Sequence, residues 1–418
     1  MLDNFCTSSL NRHKIKYVFM FLFLFILLYF EHTSFGIVKI SQLWKLPFYF
    51  YFTYYVFVKY SKITYNIPRY LFLALLLFLL ININTSIPSA YIYNFSEAFA
   101  IITLPLSIAY FKIRSRKRDN NIELFLIIFS TFLILYNLPF IFNLLPQRNS
   151  VHDLDKYGLE NQGTLIGVFY HTNISSKINV VATLFIIFNK NYFNYNIFKK
   201  ILYWALIIVG SYSIYLNFTR TGWLLYIIGI LFVLFYKESM KRIILISVPM
   251  VIIMSYLAYT FVANNPAVIL RLLGETIYRS NEDLDINQIS SGRLVIWEHA
   301  IMNLKKDGIH AVLLGQGVKS SYDMMKQSYG YSISAHNKFI EILQYSGILG
   351  LLLYLKILYL VYREVMKVQI VSGKYSTKLP LTIFLILIIS CFLSHGLPLW
   401  SDIILGGIIV AEQNKVKK

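Results

Sequence analysis

Apolar segments of nearly membrane-spanning length recur along the whole chain. A helix needs about 20 apolar residues to cross the hydrocarbon core of a bilayer. We place candidate spans at residues 17–31, 42–58, 69–87, 95–111, 122–144, 164–188, 200–217, 221–236, 242–262, 336–361, 379–395 and 398–412. Hydrophobic residues make up 57% of the chain and charged residues only 14%, which is unusual for a soluble domain. The sequence therefore predicts an all-α polytopic membrane protein with about twelve transmembrane helices.

Lysine and arginine occur mainly in alternate loops between these spans. One set of loops contains "RHKIK", "KIRSRKR" and "KVKK", whereas the other contains the uncharged "NINTSIPSAYIYN" and "HGLPLWSD", which has one acid. Because basic loops face the cytoplasm, we expect both termini to be cytoplasmic. The first span lacks a cleavage signal and is expected to be retained as an anchor. The net charge of +19 then follows from topology, and no nucleic-acid partner is expected.

One long hydrophilic segment interrupts the apolar pattern and divides the chain into three regions. We expect N-terminal transmembrane helices at 1–262, an outer helical loop domain at 263–335 and C-terminal transmembrane helices at 336–418. Within the loop domain, "NNPAVILRLLGETIYRS" predicts one helix. The stretch "SSGRLVIWEHAIMNLKKDG" begins with serines and ends with two lysines and a glycine, which predicts a second helix. The alternation places this domain and the "NFTRTG" break on the same outer side.

Arg220 is the only charged residue in the short polar break "LNFTRTGW". One interpretation is an arginine near a helix end whose charged head reaches the membrane surface. However, anchoring arginines favour the positive side, and this turn is too short to let the side chain leave the helix bundle. Arg220 is therefore a candidate functional residue.

Arg293 follows "SSG" at the start of the second helix of the loop domain. A cation in the first turn opposes the helix dipole, so local helix stability does not explain it. Free backbone N–H groups and a guanidinium together suit a phosphate or diphosphate. The alternative is a solvated surface arginine, since Arg271 and Arg279 precede it in the same segment.

His336 and Asn337 lie where the polar loop domain meets the next apolar span, and Glu341 lies one turn further on the face of Asn337. An ionisable group just inside a membrane helix is a functional candidate, although pairing of Glu341 with Lys338 is a simpler explanation. A neutral histidine can accept a proton from a sugar hydroxyl, whereas a lone histidine is often structural.

Several other residues are assigned no chemistry of their own. Gly347 and Gly350 are expected to allow close helix packing, and His171 is a candidate for lining a cavity. Two Asp-Leu-Asp triplets, at 153–155 and 283–285, resemble a short metal-binding motif but are interpreted as solvated loop acids. We therefore assign no metal site and no cofactor.

The stretches "NFTRTGW", "SGRLVIWEHAIMNLKKDGIHAVLLGQG" and "SAHNKFIEILQYSGILGLLLYL" occur in this order along the chain. Together they resemble the O-antigen ligase and O-antigen polymerase family of bacterial envelope proteins. The resemblance implies a glycosyltransferase C-type fold in the bacterial inner membrane, with the active site facing the periplasm. It also implies an undecaprenyl-diphosphate-linked glycan as donor, without metal or nucleotide sugar. The essential arginines and histidine of the family would correspond to Arg220, Arg293 and His336.

This implied mechanism agrees with the chemistry of the residues. Negative charge develops on phosphate as a glycan leaves a lipid diphosphate, and two arginines can stabilise that charge where water is sparse. A histidine can activate the acceptor hydroxyl and give inversion at the anomeric carbon. We therefore expect a metal-independent inverting glycosyltransferase in which Arg220 and Arg293 bind diphosphate. His336 would be the acceptor base or an orienting group, supported by Asn337 and Glu341.

Three functions remain open at this point. An O-antigen ligase would use lipid A-core as acceptor, whereas a polymerase would use a second lipid-linked glycan. The pattern of Arg220, the predicted helix that begins at Arg293 and the pair His336–Asn337 resembles the ligases and favours that function. A transporter of the lipid-linked glycan would also suit a chain with many spans. Transporters place charges deep inside several spans, whereas most charges here lie in loops, which favours the enzyme.

Overall fold

A computed structural model of the chain describes residues 2–30, 34–35, 38–64, 68–83, 90–116, 122–146, 165–169, 171–217, 219–235, 293–330, 333–372 and 378–416. The helices in these ranges are α1 Leu2–Tyr29, α2 Ile40–Thr64, α3 Arg69–Ile83, α4 Ala90–Arg116, α5 Ile122–Leu135, α6 Leu138–Ile141, α7 Thr172–Phe188, α8 Lys190–Phe193, α9 Ile197–Leu216, α10 Arg220–Phe235, α11 Arg293–Lys306, α12 Ile309–Leu314, α13 Val318–Tyr329, α14 Lys338–Ser372, α15 Lys378–Leu393 and α16 Leu399–Val416. A short antiparallel β pair, Ser34–Phe35 with Val38–Lys39, precedes α2.

The apolar composition of the helices supports a membrane location. In the described ranges, four helical segments are long and apolar enough to cross a bilayer: Asn94–Ser115, Ile122–Ile141, Ile197–Leu216 and Lys338–Lys367. Five shorter apolar helices accompany them: Lys16–Tyr29, Arg69–Ile83, Thr172–Phe188, Arg220–Phe232 and Leu379–Leu393. The all-helical membrane class is thus supported. The count of about twelve spans stays a prediction, and the expected span at 242–262 lies outside the described residues.

Helix α7 lies at the centre of the bundle and begins later than the expected span at 164–188. Every residue from Ser175 to Ile186 is buried, and the helix packs against α5, α9 and α10. Its first residue is Thr172, because the His171 ring accepts a hydrogen bond from the Asn173 N–H at 3.1 Å and caps the helix. This cap sets the first turn of α7 on the side where the sequence predicts the outer face.

Helix α9 shows the opposite pattern, because much of its apolar surface is exposed. The large exposed side chains are Ile197, Phe198, Ile201, Leu202, Trp204, Ile208 and Tyr212. A continuous exposed apolar surface of this kind is costly in water and is typical of a helix in contact with lipid.

Helix α14 bends at Gly347, where φ is 64° and the backbone is not helical. Helix α12 crosses at this bend: a Cβ atom on Gly347 would lie 2.3 Å from the carbonyl oxygen of Leu313. The prediction that Gly347 permits close packing is confirmed, and the positive φ gives glycine a second reason to occupy the position.

In the predicted loop domain at 263–335, the helices that the structure describes are α11, α12 and α13. Helix α11 confirms the helix predicted from its serine start and lysine end. Ile296 and Ala300 pack with Met325 of α13 into a small core of their own, and the Trp297 indole N–H donates to the carbonyl of Ala335 at 2.7 Å. These contacts hold the domain against the start of α14. The other predicted helix, in 265–281, lies outside the described residues.

Candidate functional site

A cavity of about 430 Å³ opens between the first turns of α7, α14 and α16. Its lining is rich in ionisable side chains: three lysines, three acids and three histidines, namely Lys45, Lys177, Lys338, Glu97, Glu341, Asp402, His171, His336 and His395. Ionisable groups are costly among apolar helices and generally mark a functional site there. The prediction that His171 lines a cavity is confirmed.

Glu341 and His395 form a close polar contact at the cavity. The His395 Nδ1 atom lies 2.5 Å from a carboxylate oxygen of Glu341, and the Lys338 ammonium lies 3.8 Å from the other oxygen. The Glu341 side chain is only 2% exposed, whereas that of His395 is 42% exposed. A carboxylate at Nδ1 favours the tautomer with its proton on that nitrogen, which leaves the lone pair on Nε2. The Ser334 hydroxyl lies 3.4 Å from Nε2.

His336 lies in the turn before α14 and has a left-handed backbone, with φ at 50°. Residues other than glycine rarely adopt this conformation, and it is common at functional sites. The centre of its ring is 4.7 Å from that of His395. Burial and the neighbouring His395 lower the pKa of His336 from 6.5 to about 3. His336 is therefore neutral at physiological pH.

Asn337 joins the start of α14 to the end of α15. Its side-chain oxygen accepts hydrogen bonds from the N–H groups of Phe339 at 3.0 Å and Ile340 at 3.3 Å, which caps α14. Its side-chain amide donates to the Phe392 carbonyl at 3.2 Å. Asn337 thus fixes the position of His336 relative to the end of α15.

Arg293, the first residue of α11, contacts the same helix end. Its guanidinium donates to the carbonyl oxygen of Leu393, the last residue of α15, at 2.6 Å. A cation at a helix C-terminus is favoured by the dipole and satisfies a carbonyl without an intrahelical partner. This contact explains why a residue that opposes the dipole of α11 is tolerated at its first position.

Residues 394–396, which follow α15 and carry His395, are fixed from several directions. The buried Lys177 ammonium donates to the Ser394 hydroxyl at 2.9 Å and the Gly396 carbonyl at 2.7 Å. The Lys338 N–H donates to the Ser394 carbonyl at 3.0 Å. The position of the His395 ring is therefore set by α7 and α14 as well as by its own loop.

Arg220 lies one helix away from this cluster. It is the first residue of α10, and the first turn of α10 packs tightly against α7: a Cβ atom on Gly222 would lie 2.6 Å from that of Ser176. The cavity lining includes Asn173 and Lys177 of the same α7 segment, but neither Arg220 nor Arg293 is among its described residues. The structure thus brings His336, Asn337, Glu341 and Arg293 together, with Arg220 beside the neighbouring helix.

Sequence reasoning did not identify His395 and Lys177. His395 lies in "HGLPLWSD", which the charge pattern places on the outer side, but nothing in the sequence relates it to Glu341. Lys177 could have been identified from the sequence, since a lysine inside an apolar span is a functional candidate. Within the described ranges, no group of three or more His, Cys, Asp or Glu side chains has a metal-binding arrangement. Both Asp-Leu-Asp triplets lie outside those ranges.

Comparison with known proteins identifies a central segment of the chain. Residues 205–355 match a family model described as O-antigen ligase, whereas a comparison with curated proteins finds no match. The matched segment contains Arg220, Arg293, His336 and Glu341 but neither Lys177 nor His395. The match confirms the resemblance to the O-antigen ligase and polymerase family and supports a glycosyltransferase-like function of the ligase or polymerase type.

Proposed function

We propose that this protein is an O-antigen ligase-type glycosyltransferase of glycosyltransferase C-type fold. It transfers a glycan from undecaprenyl diphosphate to a sugar hydroxyl of lipid A-core on the periplasmic side of the bacterial inner membrane. The observation that carries the proposal is the family match over a segment in which Arg293, His336 and Glu341 converge beside one polar cavity.

The donor diphosphate is bound by Arg220 and Arg293. As the bond between the anomeric carbon and the phosphate oxygen breaks, negative charge grows on that oxygen, and guanidinium groups stabilise it without a metal ion. Arg293 is positioned for this role at the end of α15, next to the loop that lines the cavity. A guanidinium has five N–H donors, so the contact with the Leu393 carbonyl does not preclude a contact with phosphate.

The acceptor hydroxyl binds in the cavity near His336. A neutral imidazole can accept a hydrogen bond from this hydroxyl and direct its oxygen toward the anomeric carbon. Attack from the side opposite the diphosphate inverts the configuration at that carbon. The mixture of acids, lysines and histidines in the lining suits the many hydroxyl groups of a sugar, because each can donate or accept a hydrogen bond.

Gel analysis of lipopolysaccharide from a deletion strain tests the proposal. Without the protein, we expect loss of all core-attached glycan and accumulation of long lipid-linked chains. Wild-type protein restores the attached glycan, and His336→Ala does not. Core carrying a single repeat unit in the deletion strain would instead identify a polymerase. An unchanged gel pattern would contradict the enzyme proposal and favour transport.

A further inference from the structure

His395, which lies outside the segment matched by the family model, is better placed than His336 to take up a proton. A buried carboxylate is costly unless it is paired and hydrogen-bonded. The Glu341 side chain is almost completely buried, and its closest partner is the His395 ring at 2.5 Å. A carboxylate at one ring nitrogen orients the imidazole and stabilises its protonated form, so that the other nitrogen can act as a base.

His336 is less suited to this step than His395. In the described part of the chain, the His336 ring makes no hydrogen bond to a carboxylate, and burial lowers its pKa to about 3. A general base works best when its pKa lies near the operating pH. His336 can still orient a hydroxyl, because accepting a hydrogen bond does not require taking the proton.

The loop that carries His395 is held in place by the buried side chain of Lys177. The Lys177 side chain is enclosed among apolar helices, and its two contacts are with residues on either side of His395, at 2.9 Å and 2.7 Å. Burying the amino group of a lysine is unfavourable for stability. An arrangement that fixes one exposed imidazole at this cost indicates that the position of His395 matters for function.

We propose that Nε2 of His395 is the proton acceptor of the transfer reaction, that Glu341 orients and stabilises its ring, and that Lys177 positions its loop. This inference rests on the proposed function. As the acceptor oxygen bonds to the anomeric carbon, its O–H bond breaks and the proton passes to Nε2, while the bond from carbon to the diphosphate oxygen breaks and that oxygen keeps the electron pair. The exposed face of His395 then returns the proton to water.

The test uses full-length protein in proteoliposomes, with lipid-linked glycan and lipid A-core extracted from the deletion strain. The His395→Ala variant should transfer glycan roughly 10²- to 10⁴-fold more slowly than wild type, and added imidazole should restore part of the rate. His336→Ala should also be slow, but imidazole should not restore it. His310→Ala, a matched change at an exposed histidine of α12, should keep the wild-type rate.

A conservative pair tests the role of Glu341. Glu341→Gln should lower the rate at least tenfold, and Glu341→Asp, which keeps a carboxylate, should recover part of that loss. If Glu341 were only structural, the rates would instead follow the thermal stabilities of the two variants. If His395→Ala does not accumulate, His395→Gln replaces it, because its amide can still donate to Glu341 but cannot act as a base.

Two results would overturn the inference: a His395→Ala rate within a factor of two of wild type, or rescue by imidazole of His336→Ala alone. Failure of the proposed function is distinguishable, because wild-type protein itself would then transfer no glycan in these reactions.

Discussion

Both ends of the helix bundle contain buried ionisable side chains, but the two ends differ in how completely these side chains are paired. At the end predicted to face the cytoplasm, Glu364 of α14 is paired directly: one carboxylate oxygen lies 2.7 Å from the Lys112 ammonium and the other lies 2.6 Å from that of Lys367. The Gln413 amide also donates to Glu364. These contacts join α4, α14 and α16, and each charge has an opposite charge as its partner.

At the opposite end, which the sequence predicts to be the outer end, ionisable side chains surround a cavity and are paired less completely. The Lys177 ammonium contacts a hydroxyl and a carbonyl rather than a carboxylate. Among the described residues, the Asp402 Oδ1 atom is buried without a hydrogen-bond partner. Since buried polar groups that are incompletely paired destabilise a fold, their presence around the cavity indicates that this end is suited to binding and chemistry. The inner end is organised for stability.

The largest expected effect comes from the two arginines. Replacing Arg220 or Arg293 by alanine should lower glycan transfer at least 100-fold, because each removes a cation that stabilises the leaving diphosphate. Membrane insertion should be unaffected. Transfer rates and membrane-fraction immunoblots measure both quantities. Arg363→Ala, at an exposed site near the inner end of α14, is the matched control. Full activity in the Arg220 or the Arg293 variant would refute diphosphate binding by that residue.

A smaller effect is expected at Lys177. Lys177→Met keeps most of the length of the side chain but removes the donors to Ser394 and Gly396. The loop that carries His395 then loses these two contacts with α7. We expect roughly tenfold slower transfer with a modest change in unfolding temperature. The exposed Lys356→Met provides the comparison. Equal rates for the two variants would show that the contacts of Lys177 do not serve the site.

The bend in α14 should affect stability more than chemistry. Gly347→Ala places a Cβ atom 2.3 Å from the Leu313 carbonyl oxygen in a backbone with φ 64° and ψ −167°. Gly308→Ala is the matched control, because Gly308 has a similar backbone, with φ 87° and ψ −178°, and no atom within 4 Å of the added Cβ. Both should lose about 1 kcal/mol from the backbone. The extra loss in Gly347→Ala, measured by thermal unfolding in detergent, is the cost of separating α12 from α14. Equal losses would contradict the close crossing.

The smallest effect on transfer is expected at the inner end. Glu364→Gln removes the charge that binds Lys112 and Lys367, and should lower the free energy of unfolding by about 1 kcal/mol. Its transfer rate should stay within a factor of two of wild type. A large loss of activity with unchanged stability would show that the inner cluster takes part in function and would remove the contrast between the two ends.

Local signals made much of the fold predictable. Helix α11 follows from serines before it and lysines at its end, because capping depends on neighbouring residues. The expected start of the span at 164 was too early, since His171 caps α7 and its apolar neighbours in 165–169 are not helical. Hydrophobicity alone does not separate buried loop residues from helix residues.

The site was only partly predictable for a similar reason. His336, Asn337 and Glu341 are close in sequence, so helical spacing relates them. The contact of Glu341 with His395 spans 54 positions, and that of Arg293 with Leu393 spans 100. Both depend on how α11 and α14 pack against the end of α15, which no local pattern encodes.

The central claim is tested most directly by glycan transfer in proteoliposomes that contain only this protein, lipid-linked donor and lipid A-core, with a metal chelator present. We predict that wild-type protein attaches glycan to the core and releases undecaprenyl diphosphate in equal amounts, and that Arg293→Ala does neither. Absence of transfer by wild-type protein both with and without the chelator, or equal transfer by the variant, would contradict the account.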